Sequence, residues 1–149
     1  VALGGDAPVV WETIESRRNG AQQYTVTDPS QDTRNGYASI YDASGSQDIL
    51  DTLIGKLSPG GEIVLAGFYE ARLGFDFPPA FMREARIRIA AEWKEQDLRD
   101  TARLIADGKL SLAGLITHHS SAIDAPSAYR TAFNDPNCLK MILDWRSAA

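Results

Sequence analysis

The most constraining feature of the chain is the run Glu62-Ile63-Val64-Leu65-Ala66-Gly67. It is almost continuously apolar, rich in β-branched residues and too short for a helix. Such a strand has to be covered on both faces, which is the situation of an inner strand of a parallel sheet. Parallel strands need crossovers, and one lies immediately upstream. Ile49, Leu50, Leu53, Ile54 and Leu57 recur at helical spacing, predicting a helix over 47–57 with Ser46 as its N-cap and Pro59-Gly60-Gly61 as its stop.

The same alternation extends in both directions. Strands are expected at Val9–Glu12, after a turn at Gly4-Gly5-Asp6-Ala7-Pro8, and at Tyr24–Thr27, Ala38–Asp42 and Arg86–Ala91. Alternating Arg and Ile place the last of these near a sheet edge. Short helices are expected at Ile14–Asn19, stopped by Gly20, and at Gln96–Ala106, with Leu98, Ala102, Leu104 and Ile105 facing inward. Phe75–Phe81 reads as a loop with one helical turn near Ala80. From Leu110 the style changes to a strand at Leu115–His118, a helix at Ile123–Phe133 and a strand at Cys138–Trp145. The expected class is α/β: a partial Rossmann-type, doubly wound parallel sheet over 1–109 lacking its first, central strand, so that a gap is expected between the Val9 and Ala38 strands, then a strand-helix-strand segment over 110–149 that belongs with a separate catalytic domain.

The 149 residues suffice for one cored domain. With 20 acidic and 15 basic side chains the net charge is -5, which disfavours a nucleic-acid surface or a polybasic membrane patch. No apolar run approaches the roughly 20 residues of a membrane span. One cysteine, Cys138, excludes an intrachain disulfide and a cysteine-based zinc cluster, and a reducing, cytoplasmic setting is the default expectation. The chain opens Val1-Ala2-Leu3-Gly4-Gly5 without Met or a signal sequence, and this reads as a cut end inside a longer protein.

Several residues stand where open α/β sheets bind ligands, beyond the carboxyl ends of strands. Glu12 ends the first strand, where a carboxylate can accept hydrogen bonds from both hydroxyls of a ribose. Arg17 follows five residues later, in reach of the adenosine side. A Glu there favours NAD over NADP, since it repels a 2′-phosphate. Spacing alone leaves a solvent-facing Glu and an ordinary surface Arg as the alternative. Ala43-Ser44-Gly45 and Ala66-Gly67-Phe68 each follow a strand, and small residues there let a flat ring or a ribose approach, or simply turn the chain. His118 and His119 are adjacent, so in a strand they face opposite ways and cannot easily share a metal; no metal site is expected. Cys138 reads as a small buried hydrophobe. Arg83, Arg86 and Arg88 read as a solvated charge run, and Lys140 points at a phosphate or faces solvent. No glycines fall as G-x-G-x-x-G, so the phosphate-binding turn of a dinucleotide fold is missing from the chain; with Glu12 ending the second strand of such a fold, that turn belongs upstream, on the first strand.

Taken together, Tyr41-Asp42-Ala43-Ser44-Gly45, the apolar helix, Gly60-Gly61-Glu62-Ile63-Val64-Leu65-Ala66-Gly67-Phe68-Tyr69 and the tail from Leu115 through Lys140-Met141-Ile142-Leu143 resemble the cofactor domain of medium-chain alcohol dehydrogenases. The runs Phe77–Trp93 and Cys138–Trp145 are similar to the branch that acts on bacteriochlorophyllides. The resemblance implies hydride transfer to NAD from a 3-(1-hydroxyethyl) group on a tetrapyrrole. It implies cofactor contacts from Glu12, Arg17, Ser44, Gly45, Ala66, Gly67, Phe68, Ala90, Ala91 and Lys140, and it assigns no catalytic acid or base. Two other readings compete with this one. S-adenosylmethionine methyltransferases also place an acid after their second strand, but end in an antiparallel hairpin. A non-catalytic interaction domain is the third.

Overall fold

The computed structural model describes residues 5–18 and 24–146. In chain order the elements are β1 (Val9–Trp11), α1 (Glu15–Arg18), β2 (Thr25–Thr27), β3 (Tyr37–Asp42), α2 (Leu50–Lys56), β4 (Leu57–Leu65), α3 (Phe77–Met82), β5 (Arg86–Ile89), α4 (Glu95–Ala106), β6 (His118–Ser121), α5 (Ala125–Asn134) and β7 (Met141–Asp144). The expected helix end at Asn19-Gly20 and the start of the first turn, at Gly4, lie outside the described residues. The chain divides into two compact units, Thr33–Lys94 and the combination of Val1–Asp32 with Glu95–Ala149. No helix among the described residues is long and apolar enough to cross a membrane.

The unit Thr33–Lys94 holds the larger core. Its sheet has the order β3-β4-β5, all parallel, with β5 at an edge as the Arg/Ile alternation implied. Ile63, Val64 and Leu65 are successive and all buried, so both faces of β4 are covered there. α2 packs Leu50, Leu53 and Ile54 against this sheet, and Ile54 and Ile63 are fully buried. At about 25 cal/mol per Å² of apolar surface, each such side chain contributes roughly 1.5–3 kcal/mol.

Three details of this unit differ from expectation. α2 begins at Leu50 with Ile49 at the cap, because the Ser46 N–H donates to Ser44 Oγ at 3.1 Å and the chain between is a turn. Pro59-Gly60-Gly61 does not end the helix; it lies inside β4. Tyr37 pairs with Leu57 and Ser39 with Glu62, so the residues between bulge outward. Gly60 takes φ +72° and exchanges hydrogen bonds with Arg83 O at 2.7 Å and the Arg86 guanidinium at 2.8 Å. Phe77–Met82 is a helix rather than a loop, since Pro78 and Pro79 occupy its first turn, where a missing N–H costs nothing.

The other unit contains two parallel pairs, β1-β2 and β6-β7, so the described strands form three ladders, as expected of a sheet without its central strand and of a separate C-terminal segment. β1 pairs with β2, and among the described residues no ladder joins it to β3. Fewer side chains are deeply buried here, chiefly Ala128 and Cys138. α4 has no buried residue, and Leu98 and Ile105 are exposed rather than inward-facing. The expected strand at Leu115–His118 is displaced to His118–Ser121. Its register is set by β7, with Thr117 N and His118 N both 3.2 Å from Lys140 O, and it leaves Leu115 and Ile116 exposed.

Candidate functional site

Because β3, β4 and β5 run parallel, their carboxyl ends emerge at one end of the sheet. Seven of the residues singled out from the sequence are brought together there. Ser44 and Gly45 follow β3; Ala66, Gly67 and Phe68 follow β4; Ala90 and Ala91 follow β5. The ladder runs on beyond the strands, with Ala66 N donating to Asp42 O at 2.7 Å and Ala90 N to Leu65 O at 2.9 Å. Ser44, Ala66, Phe68 and Ala91 are exposed, whereas Gly45, Gly67 and Ala90 are half-buried. A Cβ on Gly45, which sits at φ +70°, would meet Phe68 O at 2.7 Å, and one on Gly67 would meet Gly45 N at 2.9 Å. The glycines therefore serve the contact between the two turns. What remains outward is a surface of alanine, serine and glycine backbone with Phe68 as its one large side chain, which suits a flat ring and a ribose.

In the other unit, Glu12 follows β1 and its N–H donates to Thr27 O at 3.0 Å. Glu12 Oε1 accepts the Ile14 N–H at 2.9 Å at the entry to α1. Glu12 Oε2 lies 4.0 Å from Arg17 NH1, with both side chains about three-quarters covered. A carboxylate offers about four lone-pair sites, so Glu12 retains acceptor capacity for ribose hydroxyls. Arg17 Nε also donates to the Pro136 carbonyl. The residue that sequence reasoning missed is Arg18. Its NH1 reaches Glu12 O and Thr13 O, each at 2.9 Å, and Asp28 Oδ2 at 3.2 Å, locking the segment that carries Glu12. Asp28 is held below the usual carboxylate range by the Ser30 hydroxyl, then by the Ser30 N–H, with a smaller contribution from Arg18.

Lys140 is exposed beside an open, largely apolar hollow of about 210 Å³ that Tyr129, Phe133, Cys138 and Leu143 also line. Tyr129 and Phe133 stack with centroids 6.1 Å apart. His118 Nε2 lies 3.9 Å from Asp135, and the described residues contain no group of three metal-ligating side chains.

The fold matches that of solved dehydrogenases, over about 44% of the length of the first of them. It superimposes on L-idonate 5-dehydrogenase from Escherichia coli with a TM-score of 0.79 at 19% identity, covering 95% of this chain and 44% of that one. A protein described as a short chain alcohol dehydrogenase from Escherichia coli CFT073, solved with NADH, gives a TM-score of 0.78 at 19% identity over 94% of this chain and 45% of that one. In sequence the chain is homologous over its full length to the 2-desacetyl-2-hydroxyethyl bacteriochlorophyllide A dehydrogenases. It is 58% identical to the enzyme of Cereibacter sphaeroides over 149 residues, covering 100% of this chain and 47% of that protein. It is 56% identical to that of Rhodobacter capsulatus over 148 residues, covering 99% and 47%. The chain thus spans about half the length of these curated relatives. No protein-family model matches it. The parallel pairing of β6 with β7 also departs from the antiparallel hairpin expected of a methyltransferase.

Proposed function

We propose that the chain is the cofactor-binding part of an enzyme that oxidises the 3-(1-hydroxyethyl) group of a bacteriochlorophyllide to a 3-acetyl group in bacteriochlorophyll synthesis. The observation that carries this reading is the 58% identity to one such dehydrogenase along the entire chain. In it, residues 1–109 are a Rossmann-type NAD domain without its first strand, and 110–149 pack on a catalytic domain that this chain does not contain.

NAD, when bound, supplies the hydride acceptor. The chain's residues bind and orient it. Glu12 accepts the adenosine ribose hydroxyls, with Arg17 beside it. Ser44, Gly45, Ala66, Gly67, Phe68, Ala90 and Ala91 would form the surface that receives the nicotinamide ring. Lys140 is a further candidate contact for the cofactor. The proton of the alcohol is left to residues elsewhere in the enzyme.

The test is an assay of the whole enzyme with NAD and a 3-(1-hydroxyethyl) bacteriochlorophyllide, following NADH absorbance and identifying the acetyl product by mass. Turnover of simple polyols in preference to the tetrapyrrole would overturn the substrate assignment.

A further inference from the structure

Among the described residues, Asp42 is the buried charged side chain, only 5% exposed. It is the last residue of β3, and none of the roles given above uses it. Its Oδ1 accepts the Ser44 main-chain N–H at 3.0 Å, and its Oδ2 accepts the Tyr69 hydroxyl at 2.5 Å. Its own carbonyl accepts the N–H groups of Ala66 at 2.7 Å and Gly67 at 3.0 Å. One residue therefore holds both turns, the first through its side chain and the second through its main chain. Tyr69 ties the far end of the second turn back to the same carboxylate. A buried carboxylate is costly unless it is hydrogen-bonded, and here both oxygens are engaged. The spacing leaves no room for a side chain, since a Cβ on Gly67 would lie 2.9 Å from Gly45 N.

The geometry points to Asp42 and Tyr69 as a positioning pair for the nicotinamide end of the cofactor site, an inference that rests on the NAD reading above. They touch neither cofactor nor substrate. They fix Ser44-Gly45 against Gly67-Phe68, and the outer surfaces of those two turns then receive the ring in one arrangement. Burial, then the hydrogen bond to Asp42, pushes the Tyr69 hydroxyl up to about 12, so it remains a donor throughout the working range of pH.

The test uses the whole enzyme and two near-isosteric variants, Tyr69→Phe and Asp42→Asn. NADH affinity is measured by fluorescence titration without alcohol, thermal midpoints are recorded alongside, and KM is determined separately for NAD and for the alcohol. Tyr69→Phe is expected to weaken NADH binding about tenfold, the scale of one lost hydrogen bond to a charged group, and to raise the KM for NAD in step while leaving that for the alcohol unchanged. Asp42→Asn, which keeps an acceptor for Ser44, is expected to lose less. Lower melting temperatures with parental NADH affinity in both variants would reduce the pair to support of the fold and overturn the inference. Parental affinity and midpoint in Tyr69→Phe would overturn it alone, whereas a parent enzyme that binds no NADH would overturn it together with the NAD reading.

Discussion

Arg83 offers a quantitative test of how the core helix is held. Its Nε donates to Ile54 O at 2.7 Å and its NH2 to Gly55 O at 2.9 Å, both carbonyls of the last turn of α2. Ile54 O has a second donor in Leu57 N, and Lys56 O has one in Gly36 N at 2.9 Å. Arg83 is thus the side chain that serves Gly55 O, and it places a cation at the negative end of the helix. A hydrogen bond to a charged group is worth about 1.5–3 kcal/mol, and a cation at a helix C-terminus about 0.3–1 kcal/mol. Gly55 is exposed, so water recovers part of the loss, and Arg83→Met should cost about 2 kcal/mol. Hydrogen exchange on the whole enzyme is the assay. At 1.4 kcal/mol per factor of ten, amides of α2 should exchange roughly 30-fold faster, with Arg83→Lys intermediate because an ammonium cannot reproduce the planar fork. Unchanged exchange in α2, or an acceleration spread evenly over β5 and α3, would refute the capping argument.

Three further outcomes are expected. Glu12→Ala should weaken NAD binding and narrow the preference over NADP in the whole enzyme, since a carboxylate facing a phosphate costs a few kcal/mol; a mutant with the full preference would show that another group reads the ribose. This chain by itself, mixed with NAD and a hydroxyethyl chlorin, should produce no NADH, because it carries neither the glycine-rich turn for the pyrophosphate nor an assigned acid or base; turnover at an enzymatic rate would place the catalytic residues within it. Tyr69 binds its proton more tightly in the folded chain, at about 12, than at the ordinary tyrosine value of 10.0, so its contribution is complete below pH 10 and lost between pH 10 and 12. Denaturant titrations should show parental stability falling over that window more steeply than in Tyr69→Phe, and parallel curves would refute the assignment.

The parallel core was legible because its signal is local. Ile63-Val64-Leu65 declares burial on both faces, and the spacing of Leu50, Leu53 and Ile54 declares the covering helix. The cluster of small residues beyond the strands was legible for the same reason, as a consequence of strand direction. What the sequence hid depends on partners distant in the chain. Arg83, Arg86 and Arg88 look alike as a charge run, yet Arg83 is committed to carbonyls 28 and 29 residues away. Asp42 and Tyr69 are 27 residues apart, and nothing in either neighbourhood announces the pairing. β6 forms on His118-His119-Ser120-Ser121 while the apolar Leu115-Ile116 stays outside, because a two-stranded ladder has little face to cover and its register follows the partner strand.

The paired glycines in the bulge of β4 make opposite demands on any replacement. At Gly60 an added Cβ would meet only the flexible end of Arg86, at 3.7 Å, so the difficulty is the sign of φ alone. Asn, which tolerates left-handed backbone, is an acceptable exchange there. Gly61 has ordinary backbone angles but no room: a Cβ would lie 3.0 Å from both Ser58 O and Tyr37 O, and neither main-chain oxygen can swing aside as a side chain would. Two neighbouring positions with the same amino acid thus differ in kind, one admitting a short list of substitutes and the other none, and a library randomised across both would recover variation at the first while returning glycine at the second.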